Sequence, residues 1–250
     1  MSRIAAVVFD LDDTLYAERE YAYSGFAAVA QAFVDRLGEP RESAARMRRL
    51  FDSEHRPRVF HALLAELGLS EESKLGVMLS EAKHLNRENR PFASLRVTVE
   101  AMIEVYRTHR PTIRLHDDAE VVLNKLRPDY RLGLLTDGRS STQGLKIDAL
   151  GIRDYFDAIL ITSELGPGFG KPSPRPFEFI STRLQVVGSQ SIYVADNPAK
   201  DFVAPNALGW MTVQIRRAGG VYSDQKPAPG GEPHQVIETL DRLVSVIEPS

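Results

Sequence analysis

The stretch VVFDLDDTLY, Val7 to Tyr16, decides how this sequence is interpreted. The apolar run Ile4–Phe9 stops at Asp10, and two further carboxylates, Asp12 and Asp13, follow within three positions. Two like charges ~4 Å apart repel by roughly 4 kcal/mol at an effective dielectric constant of ~20. A buried strand that ends in crowded carboxylates therefore needs a physical explanation.

The overall composition excludes several classes of protein. The chain has 250 residues, 43% of them hydrophobic, a formal net charge of −3 and no cysteine. Disulfides and thiolate chemistry are excluded, and the net charge gives no general attraction to nucleic acid or an anionic membrane. No apolar run approaches the ~20 residues of a membrane span. We expect a soluble, cytoplasmic protein, a monomer or homodimer, with no nucleic-acid or membrane partner.

Short β-branched runs alternate with helical patterns from Arg114 onward, and this alternation is typical of βαβ units on a parallel sheet. The apolar run Ile4–Phe9 is assigned to the same sheet as these later runs. The predicted strands are Ile4–Phe9, Arg131–Leu135, Ala158–Ile161, Ser191–Val194 and Thr212–Ile215.

The segment between the first strand and the others has helical periodicity instead. Phe26, Val29, Phe33 and Leu37 recur at spacings of three and four. Further amphipathic segments are Val59–Leu67, Ser73–Leu85 and Ser94–Tyr106. The sequence therefore predicts an α/β core, residues 1–15 and 111–250, with an all-helical domain, residues 16–110, inserted after the first strand.

Local signals refine the core. DDAEVV offers Asp117 as a helix N-cap, and SPRPF, Ser173–Phe177, places proline near the first turn of a helix. The Gly/Pro-rich segment Arg216–His234 predicts a loop, and Gln235–Ile247 is predicted to be a final helix.

Polar residues directly follow four of the predicted strands. The carboxyl ends of parallel strands share one edge of a sheet, so these residues should converge there. They are Asp10, Asp12, Thr14, Thr136, Asp137, Gly138, Lys171, Asp196, Asn197 and Asp201.

The chemistry of the converging residues indicates phosphoryl transfer. Oxygen ligands from Asp10, Asp12 and Asp196 suit Mg²⁺, whose charge would make the crowded carboxylates tolerable. Lys171, the hydroxyl of Thr136 and backbone N–H groups of the strand-end turns would cradle an anion.

Four motifs in order resemble those of the haloacid dehalogenase (HAD) superfamily. They are DLDDT at Asp10–Thr14, LLTDG at Leu134–Gly138, GKP at Gly170–Pro172 and ADNPAKD at Ala195–Asp201. The resemblance implies a HAD-like Rossmannoid core with a parallel sheet, and the helical insert resembles a C1-type cap. A single D-x-D match would be weak evidence, whereas four motifs, each after its predicted strand, are specific.

The resemblance implies roles for the first-motif residues. Asp10 resembles the nucleophile that forms an aspartyl-phosphate, and Asp12 resembles the general acid and base. Mg²⁺ would be bound by the carboxylates of Asp10 and Asp196 and by the backbone carbonyl of Asp12. Asp13 is expected to be a turn or capping residue, and Thr14 to hold the loop.

The other motifs supply the residues that bind the substrate. Thr136 and Lys171 would bind the transferring phosphoryl group, together with Asp137 and Gly138. Asp201 is expected to orient Lys171 or a metal-bound water rather than to touch substrate.

Three features depart from the family pattern. Asp137 stands where asparagine is common, and it either favours a substrate that carries an amine or points away from the site. Ala195 replaces a usual glycine, and the GPGFG loop, Gly166–Gly170, is a residue or two longer than typical.

These observations predict a Mg²⁺-dependent phosphatase for a small phosphorylated metabolite. A dehalogenase is disfavoured because such enzymes lack the second Asp of the motif, here Asp12. The alternatives that stay open are a phosphomutase, a phosphonatase that uses a cap lysine such as Lys74 or Lys83, and a non-catalytic HAD-fold binding protein.

Overall fold

The structure is a computed structural model that describes residues 3–53, 55–69 and 98–248. In these residues, six parallel strands form one sheet in the order β3-β2-β1-β4-β5-β6. The strands are β1 (Ala6–Phe9), β2 (Arg131–Thr136), β3 (Ala158–Ile161), β4 (Ser191–Ala195), β5 (Met211–Ile215) and β6 (Gln235–Ile237). The predicted parallel sheet is confirmed, and five of the six strands were predicted from the sequence.

The central strand β1 explains the uninterrupted apolar run of the opening stretch. All four of its residues are buried, and it pairs with β2 and β4 on its two sides. Val8 aligns with Gly133 on β2 and with Tyr193 on β4. A parallel strand covered on both faces requires continuous hydrophobic residues rather than alternation.

The helices of the core pack around this sheet. They are α6 (Asp117–Leu126), α7 (Ser140–Leu150), α8 (Arg175–Leu184), α9 (Val203–Ala207) and α10 (Asp241–Ile247). On one face of the sheet, Phe177 of α8 packs edge-on against Tyr193 and Trp210, with ring centroids 5.0 and 5.7 Å away. This apolar layer fixes β4, whose carboxyl end carries part of the candidate site.

The chain divides into two compact units, Met1–Tyr21 with Arg110–Ser250, and Ala22–His109. The second unit is helical in its described residues. Its elements are most of α1 (Glu18–Ala32), then α2 (Val34–Leu37), α3 (Pro40–Phe51), α4 (Val59–Glu66) and α5 (Val99–Thr108). Its core contains all four residues of the predicted periodicity, Phe26, Val29, Phe33 and Leu37. The predicted helix Ser73–Leu85 lies outside the described residues.

Two local predictions were wrong. The segment Gln235–Ile237 is strand β6 on the free edge of β5, and the last helix begins only at Asp241. Backbone groups on a sheet edge gain partners when a segment pairs with them, and a sequence pattern does not reveal a vacant edge. The N-cap of α6 is His116, with φ −62° and ψ 143°, so Asp117 is the first helical residue.

The proline prediction for α8 is confirmed, because Pro174 and Pro176 flank its first residue. Within the described part of the chain, none of the helices combines the length and apolarity needed to cross a bilayer.

Candidate functional site

The carboxyl ends of β1, β2 and β4 surround a cleft with a volume of about 210 Å³. Its lining includes seven of the residues singled out from the sequence, Asp10, Asp12, Thr136, Asp137, Gly138, Asp196 and Asn197. Lys171 and Asp201 lie directly behind it through their contacts with Asp10 and with each other. Residues from four separate motifs are therefore brought together, as the parallel sheet requires.

A larger cleft, about 640 Å³, lies at the opposite edge of the sheet, next to the amino ends of β1, β2 and β4. Its lining includes Arg3, Tyr130 and Asp157 and none of the motif residues. Volume alone therefore does not identify the site, and the convergence of polar groups does.

Lys171 is the buried centre of the charge network. Its Nζ donates to Oδ1 of Asp10 at 2.8 Å and to the hydroxyl of Tyr193 at 3.0 Å, and lies 2.8 Å from Oδ1 of Asp201. Burial opposes its charge, but Asp10 and Asp201 raise the pKa of Lys171 well above its usual value. The ammonium is therefore permanently charged beside the Asp10 carboxylate.

Asp10 begins the loop after β1, where its backbone N–H donates to the carbonyl of Val194 at 2.9 Å. Burial raises the pKa of Asp10 to about 6, with Lys171 opposing this shift and Asp201 adding to it. One of its oxygens faces Lys171, and the residue also lines the cleft. Such a carboxylate is fixed in position and open to a ligand.

Asp196 carries the strongest indication of a cation. Burial, followed by the charges of Asp10 and Asp201, raises the pKa of Asp196 to about 9. Its buried Oδ2 has no hydrogen-bond partner among the described residues. Oxygens of Asp10, Asp196 and Asp201 lie within 4.8 Å of one another. An unpartnered buried oxygen in an oxygen-only group fits a hard divalent cation such as Mg²⁺.

Asp201 is completely buried and has two partners. Its Oδ1 pairs with Lys171, and its Oδ2 accepts the backbone N–H of Asn197 at 3.0 Å. Asn197 in turn accepts the N–H of Ala199, so it shapes the turn after β4 while also lining the cleft. These contacts suit a role in orienting Lys171.

Asp12 is held by three side chains. Its Oδ1 accepts Nζ of Lys146 at 2.7 Å and the hydroxyl of Tyr16, and its Oδ2 accepts Nε2 of Gln143 at 3.0 Å. Burial acts to raise the pKa of Asp12, but Lys146 and these hydrogen bonds outweigh it, so the pKa is lowered. Both carboxylate oxygens of Asp12 therefore have donors within its own unit of the chain.

Asp137 is engaged by the protein and does not offer a free carboxylate. Its Oδ1 accepts the hydroxyl of Thr162 at 2.8 Å and the backbone N–H of Lys171 at 3.2 Å, and its Oδ2 accepts Lys200 at 3.3 Å. Burial acts to raise the pKa of Asp137, whereas Lys171 and Lys200 lower it on balance. Asp137 thus anchors the longer glycine-rich loop, and the suggestion that it recognises an amine loses its basis.

Two further predicted residues shape the strand-end turns. Gly138 has a φ of +126°, a backbone conformation that favours glycine. Asp13, at φ +50°, accepts the backbone N–H groups of Glu18 at 2.8 Å and Val221 at 2.9 Å. Asp13 therefore ties the first motif to the loop after β5, in agreement with a structural role.

The sequence interpretation missed Gln143, Lys146, Tyr193 and Lys200. Gln143 and Lys146 lie three positions apart on α7 and share its buried face with Ile147. The sequence carried little signal for them, because two of the three buried residues of α7 are polar and the helix has no apolar stripe. Lys200 stands inside the fourth motif itself.

The comparisons with known proteins agree with this arrangement. A family model described as haloacid dehalogenase-like hydrolase matches residues 4–209. The chain is 29% identical over 232 residues to a glyceraldehyde 3-phosphate phosphatase of Methanopyrus kandleri, covering 90% of this chain and 88% of that one. It is 26% identical over 260 residues to the N-acylneuraminate-9-phosphatase of Rattus norvegicus, covering 99% and 95%.

A solved structure shares the fold. A HAD-hydrolase from Bacillus subtilis, bound to magnesium, superposes with a TM-score of 0.62 at 19% identity, covering 99% of this chain and 100% of that one. The family match spans most of the chain, from before β1 to beyond β4, and includes all four motifs. The chain therefore belongs to the haloacid dehalogenase-like hydrolases.

Proposed function

We propose that this hydrolase is a Mg²⁺-dependent phosphatase that cleaves a small phosphate monoester through an aspartyl-phosphate on Asp10. The single observation that carries the proposal is the position of Asp10. It is fixed by Lys171 on one side, has an oxygen within 4.8 Å of a carboxylate oxygen of Asp196, and lines the cleft. The two curated relatives described above are phosphatases, which supports the same reaction class.

In the first step, a carboxylate oxygen of Asp10 attacks phosphorus and the bond from phosphorus to the ester oxygen breaks. The negative charge of the bound phosphate ester favours the protonated form of Asp12, which gives its proton to the departing oxygen, so that an alcohol leaves. Thr136 binds an oxygen of the phosphoryl group during transfer, and Lys171, which lies behind Asp10, supplies fixed positive charge. The ammonium of Lys171 is already in place before the reaction, so it stabilises the developing negative charge without rearrangement.

In the second step, a water molecule attacks the phosphorus of the aspartyl-phosphate. Asp12 takes a proton from this water, and the bond from phosphorus to the Asp10 oxygen breaks. Inorganic phosphate leaves, and both carboxyl groups return to their starting states. Asp12 must reach both the leaving oxygen and the water, which its place in the wall of the cleft allows.

The residues of the site fit Mg²⁺ as the metal. The carboxylates of Asp10 and Asp196 and the backbone carbonyl of Asp12 would hold it, while Asp201 orients Lys171. When bound, Mg²⁺ supplies positive charge that neutralises the phosphoryl oxygens and relieves the repulsion among the carboxylates.

The substrate is proposed to be a small phosphorylated metabolite. A glyceraldehyde phosphate and a sialic acid phosphate, named for the relatives, are both alkyl monoesters of small molecules. The cleft in the core unit, about 210 Å³, has room for a small phosphorylated molecule. We assign specificity to the inserted domain, residues 16–110, with the core in residues 1–15 and 111–250. A cytoplasmic location and a monomer or homodimer stay predictions.

The experiment is phosphate release from a panel of phosphometabolites that includes both of these esters, with Mg²⁺ and with EDTA. Asp10→Asn is the matched variant, because it keeps the shape of the side chain and removes the nucleophile. We expect turnover by the wild type with Mg²⁺, none with EDTA and none by Asp10→Asn.

Two outcomes would overturn the proposal. Substantial turnover by a folded Asp10→Asn protein would exclude a covalent intermediate on this residue. No phosphate release from any ester, while the wild type converts one phosphorylated sugar into another, would identify a phosphomutase instead.

A further inference from the structure

Two side chains of α7 face the first motif from the same side of the helix. Gln143 and Lys146 are both buried, and together they reach both oxygens of Asp12, at 3.0 and 2.7 Å. Positions three apart on a helix share one face, so a single packing contact of α7 places both donors.

A cation at position 146 is not explained by stability. The Lys146 side chain is 6% exposed, and its Nζ lies 4.5 Å from the ring centroid of Tyr21. Burying an ion pair costs desolvation that its attraction often fails to repay, and an apolar residue of similar volume often stabilises a fold as well. The ammonium therefore points to a role for its partner, Asp12.

The contacts separate Asp12 from the carboxylates that suit a metal. Within the described part of the chain, the close group of oxygens comes from Asp10, Asp196 and Asp201. The Asp12 oxygens are directed instead to α7. Held in this way, the Asp12 carboxyl group is kept apart from these three carboxylates and fixed in the wall of the cleft.

Gln143 also contacts the hydroxyl of Thr136, which is proposed to bind the phosphoryl group. Its Nε2 donates to Oγ1 of Thr136 at 2.6 Å as well as to Asp12. A threonine hydroxyl that accepts a hydrogen bond must direct its own proton elsewhere. The hydroxyl donates to the carbonyl of Asp137 at 3.4 Å, a long hydrogen bond that a phosphoryl oxygen can replace.

We propose that Lys146 and Gln143 are positioning residues that hold Asp12 in place for proton transfer to the leaving oxygen. This inference rests on the proposed phosphatase function. It concerns one step of that reaction, protonation of the leaving group, and so it makes a prediction that a general structural role does not make.

The test compares two esters that differ in their need for a proton. The aryl leaving group of p-nitrophenyl phosphate departs as a stable anion, whereas the alkoxide of glyceraldehyde 3-phosphate, or of the alkyl ester turned over fastest in the panel, needs protonation. We expect Lys146→Met to lower kcat/KM for the alkyl ester by about 10²-fold, within the range of general acid catalysis. For the aryl ester we expect less than a tenfold loss.

Three further variants complete the experiment. Lys146→Arg should restore part of the alkyl-ester activity, because it returns a cationic donor. Gln143→Met also removes the contact with Thr136, so we expect a loss on both esters and a further loss on the alkyl ester; the ratio of the two rates decides the question if Lys146→Met fails to fold. Lys125→Met, an exposed lysine on α6, is the matched control and should leave both rates unchanged.

The outcomes separate the inference from the proposed function. Equal losses on both esters, or no loss on either, in folded variants would overturn the positioning role while leaving the phosphatase intact. A wild-type protein that hydrolyses neither ester nor any other alkyl ester would overturn the proposed function, and this inference with it.

Discussion

Nζ of Lys171 lies 2.8 Å from Oδ1 of Asp201, and the side chains of both residues are fully buried. The same ammonium is 2.8 Å from Asp10, so one cation is shared by two carboxylates. Buried carboxylates of like charge would force each other to stay protonated, and the lysine counteracts this. The residue that neutralises the site is therefore also part of what allows it to fold.

Replacing this cation should cost both stability and activity. We expect Lys171→Met to abolish turnover and to lower the free energy of unfolding by about 3–5 kcal/mol at pH 7, because two buried carboxylates lose their partner. Urea denaturation and phosphate release measure the two effects. Lys171→Arg should restore neither turnover nor stability, since the larger guanidinium would have to fit among Asp10, Tyr193 and Asp201. A Lys171→Met protein as stable as the wild type would contradict the assignment.

Asp196 should destabilise the metal-free protein as the pH rises. Its pKa is about 9 when folded and about 3.8 as an ordinary carboxyl, so between these values the folded state holds a proton that the unfolded state has lost. The stability that this proton provides is complete below pH ~4 and is lost as the pH passes through ~9.

The matched measurement is urea unfolding in EDTA from pH 7 to pH 9. We expect the free energy of unfolding of the wild type to fall relative to Asp196→Asn by up to about 1.4 kcal/mol per pH unit. The variant removes the titrating group and keeps its shape. Parallel curves for the two proteins would show that Asp196 is already ionised without metal.

Binding of Mg²⁺ should release a proton. Asp196 is protonated at pH 7 because its pKa is about 9, and it must lose this proton to act as a ligand. Calorimetric titration with Mg²⁺ in Pipes and in Tris should give enthalpies that differ by the ionisation heat of about one proton per ion. Affinity should rise with pH up to ~9. The same enthalpy in both buffers would contradict this, and Asp196→Asn should show weak binding without proton release.

The positions of the predicted site residues could be inferred because a parallel sheet leaves little freedom. Asp10, Thr136 and Asp196 lie at the carboxyl ends of three neighbouring strands, so the topology alone brings them to one edge. Strand assignment needs only local runs of apolar residues, and these are present in the sequence. The convergence of distant motifs therefore follows from short-range information.

Other features depend on long-range packing and were not predictable in this way. Gln143 and Lys146 reach Asp12 only because α7 packs with one face toward the first motif, and this angle is set by the tertiary structure. Strand β6 forms by pairing with the open edge of β5. The three residues of β6 do not themselves show that this edge is available. The partners of Asp137 likewise come from two distant segments, at Thr162 and Lys200.

Arg217 should be more important to stability than its place in a Gly/Pro-rich segment suggests. Its guanidinium donates twice to the carboxylate of Asp118, at 2.9 and 3.0 Å, and also to the carbonyl of Thr14 in the first-motif loop. The two charged side chains are only 14% and 13% exposed. A single ammonium cannot make this set of contacts. We expect Arg217→Lys to lower the free energy of unfolding by about 1–3 kcal/mol at pH 7, measured by urea denaturation.

The pH dependence of the free energy of unfolding tests whether Asp118 is the partner through which Arg217 stabilises the fold. Burial acts to raise the pKa of Asp118, but hydrogen bonds from Arg217 and from the backbone N–H of Leu240 outweigh it, so the pKa lies below 3.8. The stability from this carboxylate is therefore present above pH ~4 and is lost as the pH falls through the lowered value. The difference between the wild type and Arg217→Lys should shrink below pH ~4. Arg216→Lys, at the exposed neighbouring position, should change nothing, and an equal effect of the two substitutions would show that the Arg217–Asp118 pair is not what stabilises the loop.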